Sequence, residues 1–313
     1  MKHFKAWLPF VAALAALAAE CLIKSSAAQG GVNYYFYLSL ILAALTLAAG
    51  IVSCFNKAFA KKADYKGCFY MGVILLVAFI NLFTAKLGWL PVIYFPAPSK
   101  VIGVIIEDRA MILKCLAYSS RLLFTGFFGG GLVGLATGIA IGFNKGAAYW
   151  LNPVVKFLGP IPSTAWIPLV LVVFPDTVSA SSFLIALAVW FPTTLMTSNG
   201  IQNIANSFFE VSETLGAKTF YKIFKVGVPA AMPSIFIGIF NGTCSAFITL
   251  MTAEMIGAKY GIGWYINWQK EMMCYANVYA GLIVIAVTFS VLITLLFKVK
   301  DKLLVWQKGV IKW

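Results

Sequence analysis

Residues 210–229 read EVSETLGAKTFYKIFKVGVP. This is the longest polar, charge-bearing stretch beyond about residue 66, and apolar runs long enough to cross a bilayer lie on both sides of it. Glu210 and Glu213 open it, Gly216 interrupts it, Lys218, Lys222 and Lys225 follow, and Pro229 closes it. Phe220, Ile223, Phe224 and Val226 recur at near-helical spacing, which predicts two short amphipathic helices hinged at the glycine. A chain that is otherwise apolar has little use for such a loop unless a soluble partner binds it.

The composition around this stretch is that of an integral membrane protein. Of 313 residues, 61% are hydrophobic and 11% charged, less than half the charged share of ordinary soluble domains. Mean hydropathy is +0.90. The net charge of +14 does not gather on one face or arm as nucleic-acid binding requires; the lysines cluster at the ends of apolar runs, where they mark the cytoplasmic side. Cys21, Cys54, Cys68, Cys115, Cys244 and Cys274 show no CxxC spacing and read as small buried hydrophobes. The single histidine, His3, leaves no histidine-based metal site or catalytic triad within one chain, and no GxxxxGK[ST] phosphate loop occurs. No catalytic residue and no cofactor or metal site is therefore expected in this chain.

Taken in order, the apolar runs predict spans at 6–23, 34–55, 68–88, 122–143, 150–174, 181–199, 232–256 and 279–297. The first follows Lys2 and Lys5; the small residues Ser25 to Ala27 resemble a signal-peptidase site, but Glu20 is foreign to a signal's apolar core, and an uncleaved helix is expected. NKAFAKKADYKG at 56–67 reads as a basic cytoplasmic loop. Residues 89–120, with FPAPSK and then EDRAMILK, read as an outside segment with a short amphipathic helix. Within 122–143, Gly126, Gly130, Gly134, Gly138 and Gly142 recur every fourth residue and place a glycine stripe on one helix face for close packing. The 150–174 span is punctuated by Pro153, Pro160, Pro162 and Pro168, whose freed backbone groups favour a bundle interior over lipid. Eight spans put both lysine-rich ends in the cytoplasm, the orientation that the charge bias requires.

The organising stretch also carries a resemblance. Permease subunits of bacterial ABC importers share a cytoplasmic signature: Glu-Ala-Ala, three residues, Gly, nine residues, Ile, one residue, Leu-Pro. Here Glu210-Val211-Ser212 is followed by three residues, Gly216, nine residues, Val226, Gly227 and Val228-Pro229. The spacing matches throughout, with Val and Ser for the two alanines and Val for Ile and for Leu. The stretches FPAPSKVIGVI, SSRLLFTGFFGGGLVGLATGIAIGF, LNPVVKFLGPIPSTAWIPLVLVVF and AEMIGAKYGIGWYI are similar to permeases of the nitrate/sulfonate/taurine branch, over about residues 68–305.

The resemblance implies an all-α polytopic bundle of about eight transmembrane helices: a type I ABC importer permease core at 67–305, with its coupling loop near 201–230. Two extra N-terminal helices at 1–66 precede it and a tail at 306–313 follows. It further implies two permease copies, each presenting this loop to a separate cytoplasmic ATPase that holds the ATP and Mg, and an extracytoplasmic binding protein delivering the solute. The coupling residues would be Glu210, Ser212, Glu213, Gly216, Ala217 and Pro229. Ser163, Thr164, Thr193, Thr194, Asn241, Thr243 and Ser245 are candidates to line a solute path, as is Glu254, a carboxylate near a span's end that needs a partner or a function. The expected setting is the bacterial inner membrane and the expected solute a small anion such as a sulfonate, taurine, nitrate or bicarbonate, or a thiamine-precursor-like molecule. A secondary transporter or channel is the main alternative, but it would need intramembrane coupling charges and shows no internal repeat here. A lipid-acting enzyme would want clustered acids or histidines, and ten scattered acids do not supply them.

Overall fold

The computed structural model describes residues 4–23 and 32–306. His3, Lys2, Lys24, the Ser25–Ala27 stretch, Lys308, Lys312 and most of the 306–313 tail lie outside the described residues. The described residues are helical, with no strand. Among the described residues, seven helices are long and apolar enough to cross a membrane, and up to eight spans result if a bent pair counts as one.

The chain divides into two compact units, Met1–Met111 with Trp268–Leu282 and Ile112–Asn267 with Ile283–Trp313. In the first, α1 (Phe4–Leu22) packs on α2 (Tyr34–Phe55) and α3 (Lys57–Asn81), which runs on through a π-helical turn at Leu82–Lys86. Small residues bring these helices close: Ala12, Ala13 and Ala16 meet Ile74, and a Cβ on Gly67 would sit 2.0 Å from the Lys5 carbonyl. α4 (Pro98–Glu107) starts on proline at its first turn, where the missing N–H costs nothing.

The first unit buries an ion pair. Lys86 Nζ lies 3.1 Å from Glu20 Oε1 and donates to the Glu20 carbonyl at 2.9 Å. The amides of Asn33 and Asn81 donate to the two carboxylate oxygens at 2.7 and 2.8 Å. The polar atoms that α1 carries into the apolar interior are thus matched one by one.

The second unit centres on α8 (Thr177–Gln202). Asp176 caps it, its carboxylate accepting from the Ser179 amide at 2.8 Å. On one side stands α5 (Arg109–Phe143), and on the other α11 (Val228–Gly257), with α13 (Tyr275–Leu303) packed against α11 through Phe247 and Phe289. The core joins Leu122 and Leu123 to Ile185, Val189, Ala246 and Leu250.

Three boundaries differ from the sequence expectations. The basic 56–67 segment is no loop: Asn56 alone breaks the chain, its side chain accepts from the amides of Ala58 and Phe59, and the Lys- and Ala-rich residues that follow are good helix formers. The span expected to start at 122 starts at Arg109, because the polar residues before the apolar run extend the helix rather than end it; only Pro98–Glu107 is the separate short helix. The second half of 210–229 is no isolated helix either. α10 (Thr219–Tyr221) and a π-register stretch, Lys222–Gly227, lead without a break into α11, giving one run of 39 residues with Pro229 inside it.

Candidate functional site

The organising stretch is shaped by a helix ending. α9 (Asn206–Thr214) is closed by Leu215, and Gly216 takes φ +77°. The Ala217 N–H donates to Ser212 O at 3.0 Å and the Gly216 N–H to Glu213 O at 2.9 Å. That pair of bonds is a Schellman motif, which satisfies carbonyls that a helix end leaves open. A Cβ on Gly216 would meet nothing within 4 Å, so the dihedral angle alone demands glycine.

One side of α9 is held to the bundle. Ser212 is buried and donates to Phe209 O, while Phe209 meets Phe143 edge-on at 5.9 Å. Phe143 also covers Gly227, where a Cβ would lie 2.1 Å from its ring. The adjoining side is bare: Phe208, Val211 and Leu215, at positions i, i+3 and i+7, are 60%, 60% and 82% exposed. They border a hollow of about 610 Å³ together with Gly216, Ala217 and Tyr221. Glu213 pairs with Lys222 at 2.6 Å across the glycine; both are partly solvated, so the pair contributes at most about 1 kcal/mol. Glu210 is exposed and Pro229 half-buried.

A second feature lies deeper in the same unit. α6 (Lys145–Leu158) and the following pair, a 3₁₀ turn at Ser163–Trp166 and α7 (Ile167–Val173), are bent by 82°. Pro162 starts the 3₁₀ turn. The bend brings Ser163 and Thr164 into a cavity of about 360 Å³, with Ser245 and Thr249 of α11 and Trp190 and Phe191 of α8. Ser163 Oγ and Thr249 Oγ1 are 2.6 Å apart. No charged side chain lines this cavity, so it offers hydroxyls and aromatic surface.

The other candidate path residues lie elsewhere. Thr194 hydrogen-bonds Thr137 Oγ1 at 2.7 Å and reaches Gly134 O, in the seam between α5 and α8. Thr193 packs over Gly134, and Thr243 donates to Ile239 O within its own helix. The five stripe glycines face α8: a Cβ on Gly130 would fall 2.1 Å from Ala186 O, and one on Gly138 2.6 Å from Thr197. Asn241 is exposed at mid-helix, one turn before Ser245 on the same face. Glu254 is fully buried off the cavity, where Oε2 accepts the Gly263 N–H at 2.8 Å. Ser119 Oγ accepts the Ile262 N–H at 2.9 Å, so the two side chains take the first amides of α12 (Ile262–Glu271). Gly261, at φ +133°, leaves room for the carboxylate: a Cβ there would lie 2.4 Å from Glu254 Cδ.

Sequence reasoning missed Thr249, Phe208, Leu215 and Gly227. Thr249 stands four residues after Ser245, a spacing that was available; the bare face of α9 needed the structure, because sequence does not say which apolar residues stay uncovered.

Residues 130–303 match the family described as binding-protein-dependent transport system inner membrane component. The chain belongs to that family. The putative aliphatic sulfonates transport permease SsuC of Bacillus subtilis is 30% identical over 268 residues, 84% of this chain and 97% of that one. The taurine transport permease TauC of Escherichia coli is 25% identical over 224 residues, 69% and 82% of the two chains. The bicarbonate transport permease CmpB of Synechococcus elongatus is 28% identical over 200 residues, 64% and 69%. In fold, the permease resembles a chain of the inward-facing MetNI methionine ABC transporter, with TM-score 0.54 and 16% identity over 63% of this chain and 98% of that one. It is thus a multi-pass permease component of an ATP-driven importer, in the nitrate/sulfonate/taurine branch.

Proposed function

We propose that residues 206–229 couple this permease to a separate cytoplasmic ATPase, and that the hydroxyl-lined cavity belongs to the solute path. One observation carries the coupling reading: α9 ends in a fixed Schellman turn and leaves Phe208, Val211 and Leu215 bare beside a hollow. A helix anchored on one side and apolar on the next is suited to a groove in another protein. Glu210, Glu213 and Ala217 sit around that face, while Phe209 against Phe143 holds the segment to the bundle, with Ser212 buried and Pro229 half-buried. ATP and Mg bind in the partner, and this chain binds neither.

The solute passes as a small molecule held through hydrogen bonds from Ser163, Thr164, Ser245 and Thr249. The names of the relatives favour a sulfonate-, taurine-, nitrate- or bicarbonate-like anion over a thiamine-precursor-like molecule. A neutral lining suits a path that must release what the binding protein delivers. Asn241 supports a pair of permease copies: an exposed amide in mid-span, with no hydrogen-bond partner among the described residues, belongs against a second copy or the path rather than lipid. Both termini then lie in the cytoplasm, with the core at 67–305 preceded by the helices of 1–66.

Co-purification with candidate ATPase subunits, followed by ATPase assays in lipid, tests the coupling. The wild-type chain should hold an ATPase, and a Phe208→Asp/Leu215→Asp variant should lose it while keeping its melting temperature. Equal retention by the variant would place the contact elsewhere.

A further inference from the structure

The first unit contains a groove that the transport reading does not use. It opens at one end of three helices, between the first turns of α1, the last turns of α2 and the first turns of α3, and has a volume of about 790 Å³. Its floor is apolar, made by Ala6 and Pro9 of α1, Ala49 of α2, and Ala58 and Phe59 of α3. Lys61, Lys62 and Lys66 stand on its rim, all exposed. None of these three has an ion-pair or hydrogen-bond partner among the described residues. Asp64, the one acid in the segment, accepts the Ala6 N–H at 2.9 Å.

The cations are also poorly placed for one another. Lys62 and Lys66, four residues apart on α3, put like charges on one helix face. An anion at the rim would relieve that repulsion. Tyr65 and Tyr70 border the groove as well, the side chains that favour the boundary between water and hydrocarbon. The groove therefore pairs a basic rim, at the end of membrane-spanning helices, with an apolar channel running along them. We propose that it binds one anionic phospholipid, the phosphate seated among Lys61, Lys62 and Lys66 and an acyl chain lying over Pro9, Ala49 and Phe59. Basic pockets between helices on the cytoplasmic side suit such headgroups, and the unit that binds is the one built around the two N-terminal helices.

Native mass spectrometry of the full-length permease in detergent tests this. The protein would be titrated with phosphatidylglycerol, with phosphatidylcholine of the same chains, and with glycerol 1-phosphate. One phosphatidylglycerol per chain should be retained, phosphatidylcholine about tenfold less, and glycerol phosphate not at all. Lys61→Gln/Lys62→Gln/Lys66→Gln, which changes exposed residues, should weaken phosphatidylglycerol about tenfold or more. Ala49→Phe, which fills the floor and keeps the lysines, should weaken it too. Equal retention of the two lipids, or unchanged binding by the triple variant, would overturn the proposal. So would tight binding of glycerol phosphate, which would make this a soluble-phosphate site, or loss of a co-purified ATPase from the triple variant with lipid binding intact, which would make the rim a protein contact.

Discussion

At Gly216 the constraint falls on a dihedral angle and not on space. Gly216→Ala should therefore cost about 1 kcal/mol or slightly more through the strained positive φ, while Gly216→Asn should cost less, because asparagine tolerates that region. Melting temperatures of the purified permease measure both, and an equal loss for the two would place the cause outside the backbone. Asp176 gives a second residue-scale expectation. The Ser179 amide, and then its hydroxyl, hold this exposed carboxyl below the usual carboxylate range. A lowered value means that the cap is fully present above the ordinary carboxylate pKa and is lost as pH falls through the folded one. Hydrogen exchange in the first turn of α8, corrected for intrinsic rates, should rise on acidification, and Asp176→Asn should flatten that rise.

At the scale of helices, the glycines of α5 separate into two kinds. Gly130 faces α8 at backbone contact, whereas a Cβ on its neighbour Gly129 would meet nothing within 4 Å. Gly129→Ala should be neutral or stabilising by up to about 1 kcal/mol through helix propensity, and Gly130→Ala should destabilise by pushing α5 from α8. Identical effects in a thermal-shift comparison would show that the stripe is not a packing seam. The four-residue period made this face legible in advance, since spacing on a helix maps directly to direction. The signature around Gly216 was legible for a related reason: a glycine that ends a helix fixes the residues on both sides of it. Boundaries were harder. At Arg109 and Lys57 the helix continues through charged residues, and hydropathy marks where the apolar run starts, not where the hydrogen-bond ladder does. Polar residues were ambiguous in the same way. Ser163 and Thr194 look alike in sequence, yet one reaches a cavity and the other closes a helix seam.

For the molecule as a whole, the buried ion pair is a tether that composition hardly announces. Glu20→Ala should cost about 3–5 kcal/mol, because it leaves the buried Lys86 ammonium without its counter-charge. Glu20→Met/Lys86→Met should recover only part of that loss, since the apolar pair removes the buried charge but leaves the Asn33 and Asn81 amides without their acceptor. Unfolding of the full-length chain in detergent compares them, and a double variant as poor as the single would show that the pair is worth more than its desolvation cost. At the other end of the chain, the organising stretch meets α11 through a segment in π register, with the Val228 N–H bonded to Ile223 O. Such a turn stores one residue more than the ladder around it needs. Releasing that surplus into ordinary α register would turn everything before it by about 100° and shift it about 1.5 Å along the axis. Thr219–Gly257 is therefore a rod with one surplus residue at the end nearest the bare face of α9, and a pull there that released it would be felt as a rotation.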